Sequence, residues 1–379
     1  MVRFAPYILK NLWRHRLRTM LTASGAAVAI FVFVFVGSVQ EGLDDLTAQQ
    51  LADKRLVVFQ ANRFCPSTSK LPDDYARQIR LRPGVKDAVP VKVFMNNCRA
   101  SLDVVVFHGM PADKLRLARD LTLVSGDWTA FEQRSDGAIV GQAIAARRRL
   151  QVGQQFSIGG VTVSVVGVAR SGTPAEENFV FTHLDFLQRI PGLNSVGTAT
   201  QIEVLLNDQA DVQQTAATID DAFRTGNVAT NTRPLGVFQR DAVGDLVELI
   251  GFLRYLAYAC VGLVLALVGT TTLMAVQDRV REFSVLQTIG FTSPQVFGLI
   301  LAESVILSTV GGSVGVAIAA ALLSIGKLAV GSEGVIVPFL ATPQLVLTGI
   351  VVSLVAGFLA GLSPAWTASR GDIVTGLKM

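Results

Sequence analysis

Four stretches of this chain are long and nearly free of charge: Met20 to Val39, Leu246 to Val276, Pro294 to Ile325 and Leu345 to Leu362. A hydrocarbon core about 30 Å thick takes roughly 20 residues of helix to cross. Inside it every backbone polar group must be satisfied within the segment itself. The pattern therefore predicts four membrane helices and leaves one place for a large polar domain, between the first stretch and the second. Only 16% of the residues are charged, against about 25% in soluble domains. The first stretch admits a competing reading, a cleavable signal peptide with a basic leader. Signal h-regions run about 7–15 residues and end at a small-residue cleavage site, whereas this run is longer and passes into Gln40-Glu41. A retained span is favoured.

Basic residues orient the spans. Arg3, Lys10, Arg14, Arg16 and Arg18 precede the first, Arg279 and Arg281 separate the second from the third, and Arg370 follows the fourth. Four crossings put all three groups on one side, which the positive-inside rule makes the cytoplasm. The chain is accordingly divided into a cytoplasmic amphipathic segment 1–19, a first span 20–40, an extracytoplasmic domain 41–245, a stalk with the second span 246–276, a cytoplasmic connection 277–293, a third span 294–325, a short external loop 326–344, a fourth span 345–363 ending at Pro364, and a cytoplasmic tail 364–379. At 1.5 Å per residue the second run exceeds the core thickness. Its first turns, with Glu248 and Arg254, are expected above the bilayer, with Tyr255 and Tyr258 near the interface.

Within 41–245, strand-like runs recur at Leu56–Phe59, Val104–Phe107, Ala138–Val140, Val161–Val168, Phe179–Phe181 and Ile202–Leu206. Helical segments are expected at Pro72–Leu81, with Pro in the first turn, and at Asp211–Arg224. The order βαβ, then a strand-rich middle, then βαβ predicts an α+β platform with a β-rich insertion. Gly153 and Gly159-Gly160 read as hairpin turns.

No catalytic constellation is present. GxxxxGK[ST], HExxH and CxxC are all absent, and His15, His108 and His183 are scattered packing or surface residues. The missing P-loop leaves the chain without its own means of hydrolysing ATP. Its +4 net charge comes without the aromatic-basic platform or zinc spacing of a nucleic-acid binder. Cys65 and Cys98 fall in the polar domain, where an oxidising compartment would permit a bridge; Cys260 lies in a span as a packing residue. Small residues recur every fourth position at Gly311 and Gly315, and at Ser353, Gly357 and Gly361. Such rows bring helix backbones close, although glycine is common in membrane helices anyway. Glu303, inside the third run, is either a functional carboxylate or a locally paired one.

The connection DRVREFSVLQTIGFTS (278–293) carries an imperfect apolar stripe at Val280, Phe283 and Leu286. Gly290 suits the C′ position of a helix, and Ser293-Pro294 suits the N-cap and N1 of the next. A short helix at the membrane surface is expected; an ordinary solvated loop is the plainer alternative.

The run MAVQDRVREFSVLQTIGFTSPQVFGLILAESVILSTVGGSVG resembles the second-to-third span region of ABC-transporter permeases of the FtsX/MacB type. NLWRHRLRTMLTASGAAVAI resembles that family's basic entry into the first span, and LSPAWTASRGDIVTGLK its carboxy-terminal tail. The middle domain matches in layout more than in motif. The resemblance implies a permease of the bacterial inner membrane, with both termini cytoplasmic, paired with a second copy or a related chain. A separate cytoplasmic ATPase would bind ATP and Mg, and a membrane-fusion protein or outer-membrane channel would be a further partner. Residues 278–292 would be the element that docks on the ATPase, with Phe283, Leu286 and Ile289 as buried contacts, Arg279, Arg281 and Glu282 as polar rim, and Gly290 closing the helix. Extrusion of a substrate by mechanical transmission is the implied function. An FtsX-like regulator of an external hydrolase is the alternative, and a membrane-anchored enzyme lacks any candidate active site.

Overall fold

The computed structural model describes residues 13–14, 16–52, 54–63, 68–96, 104–190, 195–332 and 334–370. The chain divides into two units, a helical one and an α+β domain formed by Glu41–Glu248 together with Gly326–Phe339.

Four long helices span Arg16–Ala52, Gly244–Asp278, Ser293–Gly326 and Pro343–Ser369. Each holds a stretch long and apolar enough to cross a membrane. The fourth does not stop at Pro364: the proline is buried within the helix, which continues to Ser369. Such breaks in the bonding ladder are tolerated where neighbouring helices cover them, and Ala365, fully buried, is packed against Val276, Phe283, Val296, Leu299 and Ile300.

Small residues set the helix contacts. A Cβ built on Gly311 would overlap the carbonyl oxygen of Ala23, and one on Gly315 that of Ala27, so the third helix lies backbone to backbone on the first. Gly357 and Gly361 seat Ser304 and Ser308 of the third helix in the same way. Ser308 donates to the Ser353 carbonyl at 2.7 Å and Ser353 returns a bond to the Ser308 carbonyl at 2.6 Å. Packing and hydrogen bonds of this kind replace the hydrophobic effect between helices in lipid. Both small-residue rows thus serve contacts within one chain.

The α+β domain contains strands β1 (Arg55–Gln60), β2 (Leu71–Pro72), β3 (Val85–Met95), β4 (Val106–Met110), β5 (Leu121–Gly126), β6 (Gly137–Gly141), β7 (Gln155–Ile158), β8 (Val161–Ser171), β9 (Phe179–His183), β10 (Thr198–Ala199), β11 (Gln201–Leu206), β12 (Thr230–Pro234), β13 (Ala329–Ser332) and β14 (Val335–Pro338). One sheet runs β12-β1-β11-β3-β4-β9-β6-β8-β5, with β7 on β8. Its first four strands form a split βαβ arrangement. Helices Tyr75–Arg80 and Val212–Phe223 cover one face of it, burying Ile79, Ile219 and Phe223 against Leu56, Val58, Ile202 and Val204. Asp211 caps the second helix by accepting from the Gln214 N–H at 2.7 Å. The first begins later than its sequence suggests, because Leu71–Pro72 is drawn into pairing with Thr198–Ala199.

β3 joins the platform to the insertion. Its residues up to Val91 pair with β11, and those from Lys92 pair with β4. Pro90, which would break a central strand, stands where the partner changes. In the insertion, β4 runs parallel to β9 and β6 parallel to β8. Gly159 and Gly160, at φ +60 and +84, turn β7 back onto β8. The connection between the third and fourth long helices is the hairpin β13–β14. Ala329 and Ile336 enter the core beside Val93, Met95 and Val104, and Gly331 and Gly334 lie directly against Val104 and Val93.

Candidate functional site

The second long helix ends at Asp278, and the chain breaks at Arg279 (φ −119, ψ 15) before a nine-residue helix, Val280–Thr288. Gly290 closes that helix at φ +110, a left-handed value that favours glycine. The Phe291 N–H bonds back to the Leu286 carbonyl at 3.1 Å, and that of Gly290 to Gln287 at 3.1 Å, in the manner of a Schellman cap. The next helix opens one residue earlier than Ser293-Pro294 suggests: Thr292 is the cap, its N–H donating to Gln295 Oε1 at 2.9 Å.

The short helix has two faces, and they differ from the sequence expectation. Phe283, 4% exposed, is packed against Val276, Val296, Leu299 and Ile300 of its own chain. Arg279 is also buried at 5% and so forms no polar rim. Its Nε meets Glu282 at 2.8 Å, a second guanidinium nitrogen meets Glu303 at 3.4 Å, and the group lies 5.1 Å over the Phe283 ring. Leu286 sits at the boundary, while Val285 and Ile289, 42% and 74% exposed, and Arg281 face outward. The physical reason is the spacing. Phe283, Leu286 and Ile289 advance three residues at a time, and at about 100° per residue each step falls roughly 60° short of a full turn. The stripe therefore winds from the inner face to the outer one. Glu303 is paired with Arg279; Arg14, ahead of the first long helix, stands 3.8 Å from Glu282, and Arg18, within that helix, 3.8 Å from Asp278.

A second charged cluster, which the sequence reading missed, lies in the α+β domain. Arg119 holds Glu203 of β11 in a two-pronged pair at 2.5 and 2.6 Å, and its Nε is 3.2 Å from Glu176. Burial alone would raise the Glu203 carboxyl, but Arg119 outweighs it and holds the group down at about 2. His108, stacked 4.3 Å from Phe179, has no hydrogen-bond partner among the described residues on either ring nitrogen. Burial, reinforced by Arg119, lowers it to about 3, so it is neutral. A cleft of about 550 Å³ opens beside Arg119, lined also by Arg55, Arg116, Asp120, Trp128 and Glu176. With Glu203 behind Arg119 its charges cancel, so it presents no net sign to a ligand.

His183 bonds the Phe131 carbonyl at 2.7 Å, and Cys260 is a free thiol. Cys65, Cys98 and His15 lie outside the described residues. Among the described residues no three His, Cys, Asp or Glu side chains group as a metal site.

The fold and the site define a membrane protein with several spans and one large domain inserted after the first. The profile described as MacB-like periplasmic core domain matches residues 19–222, and that described as FtsX-like permease C-terminal matches residues 254–373. The chain belongs to this MacB/FtsX-like family of ABC transporter permeases. It is similar to the macrolide export ATP-binding/permease protein MacB of Nitrosomonas europaea, 22% identical over 97% of this chain and 58% of that one. Pyoverdine export ATP-binding/permease protein PvdT of Pseudomonas putida is 24% identical over the same shares, 97% and 58%. The ABC transporter permease YknZ of Bacillus subtilis is 20% identical over 98% of this chain and 97% of its own. The chain thus spans just over half the length of the MacB and PvdT relatives. Among solved structures, the extracellular domain of YknZ aligns with a TM-score of 0.35 at 15% identity, covering 47% of this chain and 99% of that one. The periplasmic region of MacB from Actinobacillus actinomycetemcomitans aligns at 0.36 and 11%, covering 52% and 92%.

Proposed function

We propose that this chain passes ATP-driven movement from a separate cytoplasmic ATPase to the α+β domain on the opposite side of the bacterial inner membrane, where that movement extrudes a substrate. The observation that carries the reading is the two-faced short helix. Its inner face is fastened into the helical unit by Phe283 and Arg279, while Val285, Ile289 and Arg281 project from the other. An isoleucine 74% exposed at a helix end is an apolar anchor of the kind protein interfaces bury at their centre. ATP and Mg belong to the ATPase, and a second copy of the chain completes the membrane part. The basic residues at positions 14–18, 279–281 and 370, read by the positive-inside rule, support placing this face in the cytoplasm.

Ile289→Glu places a charge in that contact without touching the core. Association with the ATPase purified from the same membrane is expected to weaken at least tenfold, about 1.4 kcal/mol, while the permease itself stays folded. Unchanged association would remove the docking assignment. Co-purification of a membrane-fusion protein supports extrusion; a cell-wall hydrolase in its place supports regulation of an external partner.

A further inference from the structure

We propose that the Arg279–Glu303 pair is a latch that makes the short helix and the third long helix one rigid body, so that a push on the outer face of the former is delivered into the latter. The inference rests on the docking reading above for its purpose, though not for its geometry.

The short helix is bounded by a break at each end. Arg279 leaves helical geometry before it, and Gly290 reverses the chain after it. A nine-residue helix between two such joints would turn about them when pushed. What opposes turning is a small set of inward contacts. Phe283 supplies apolar packing, which is not directional. Arg279 supplies a directional one, since its guanidinium reaches Glu282 within the short helix and Glu303 in the third long helix together. Both members of the long-range pair are buried, at 5% and 7% exposure, where water screens them little.

The position of Glu303 gives the latch its reach. It lies ten residues beyond Ser293, about 15 Å along the helix at 1.5 Å per residue. The short helix is thus tied well inside the third helix and not merely to the loop joining them. Thr22, Thr271 and Thr272, with Arg18, line a small cavity of about 10 Å³ beside Glu303, and Thr272 meets Ser304 at 3.2 Å. Residues of the first and second long helices therefore line the same small cavity as Glu303. The exposed pairs Arg14–Glu282 and Arg18–Asp278, each at 3.8 Å, belong to the class that contributes little. The Arg279–Glu303 pair is the buried member of the network that reaches another helix, and breaking a buried pair costs more than breaking an exposed one, although Arg279 keeps Glu282 at 2.8 Å.

The test is amide hydrogen exchange on the full chain in lipid nanodiscs, without any partner, comparing wild type with Glu303→Gln and Glu303→Asp. Glu303→Gln keeps the shape of the side chain and removes its charge. Exchange at residues 280–289 should rise at least tenfold, while the third helix beyond residue 305 and the α+β domain keep wild-type protection. Glu303→Asp, which retains the charge, should restore at least half of the lost protection on a logarithmic scale. Unchanged exchange at 280–289 in Glu303→Gln overturns the latch. Loss of protection spread evenly through all four long helices overturns it as well, because the pair would then be general support. Adding the ATPase separates this from the docking reading. Glu303→Gln should still bind it within twofold of wild type, whereas Ile289→Glu should not.

Discussion

His108 shows how a single side chain can store a response to acid. It is buried, stacked on Phe179 and without a hydrogen-bond partner among the described residues, and it feels the charges of Arg119 and Glu203. Its folded-state value, about 3, lies below the ordinary 6.5, so the unfolded chain binds the proton first. Stability is full above 6.5 and declines as pH falls from there toward 3, with a slope approaching ~1.4 kcal/mol per pH unit. Glu203, lowered from 4.5 to about 2, acts later: its contribution is present above 4.5 and is lost as pH falls through 2. Hydrogen exchange of β4 and β9 in the full chain, corrected for intrinsic rates, should lose protection between pH 6.5 and 5 in wild type. In His108→Phe it should stay flat over that range; an identical decline in both would refute the assignment. None of this was legible in the sequence, because His108, Arg119 and Glu203 lie on segments that only the sheet brings together. The residues of the proposed docking helix were half legible. The stripe Val280, Phe283 and Leu286, with the capping signals at Gly290 and Ser293-Pro294, announced a short helix, but the drift of the stripe placed Phe283 inside.

At the scale of elements, the long helices were the most legible part, since apolar length is a local property of the chain. The rows of small residues were legible as well, and the structure supplies their partners. Gly315→Leu drives a side chain into the Ala27 backbone and should destabilise the helical unit by about 1–3 kcal/mol. This would be read as a lowered midpoint of thermal unfolding in detergent; a midpoint equal to wild type would mean that the two helices do not approach this closely. Less legible were β3 and the hairpin β13–β14. β3 carries Asp87, Pro90 and Lys92 among its apolar residues. Asp87 is there because Arg80 and Lys114 pair with it at 2.8 and 2.7 Å. The hairpin read as a short loop because the residues that bury it, Val93, Met95 and Val104, lie more than 200 positions earlier in the chain.

For the whole molecule, the sidedness inferred from Arg14–Arg18, Arg279–Arg281 and Arg370 makes one prediction. In whole cells, with the native cysteines replaced, a membrane-impermeant thiol reagent should label Thr129→Cys, in the α+β domain, and should reach Ile289→Cys only after permeabilisation. The reverse order would invert the topology. The family was legible because motifs at the first span, the second-to-third connection and the tail agree. The domain was legible only in outline, since strand order depends on distant pairing. That distance has a consequence for how the protein is made. The domain's polypeptide is almost complete by Glu248, yet β13 and β14 follow only after Leu249–Ile325 have been synthesised. At ~5–20 residues per second this is a wait of roughly 4–15 s. Throughout it, the apolar surface of Val93, Met95 and Val104 lacks the strands that cover it. The nascent domain can therefore finish folding only once the whole third helix has been made, which ties its completion to the synthesis of the helical unit.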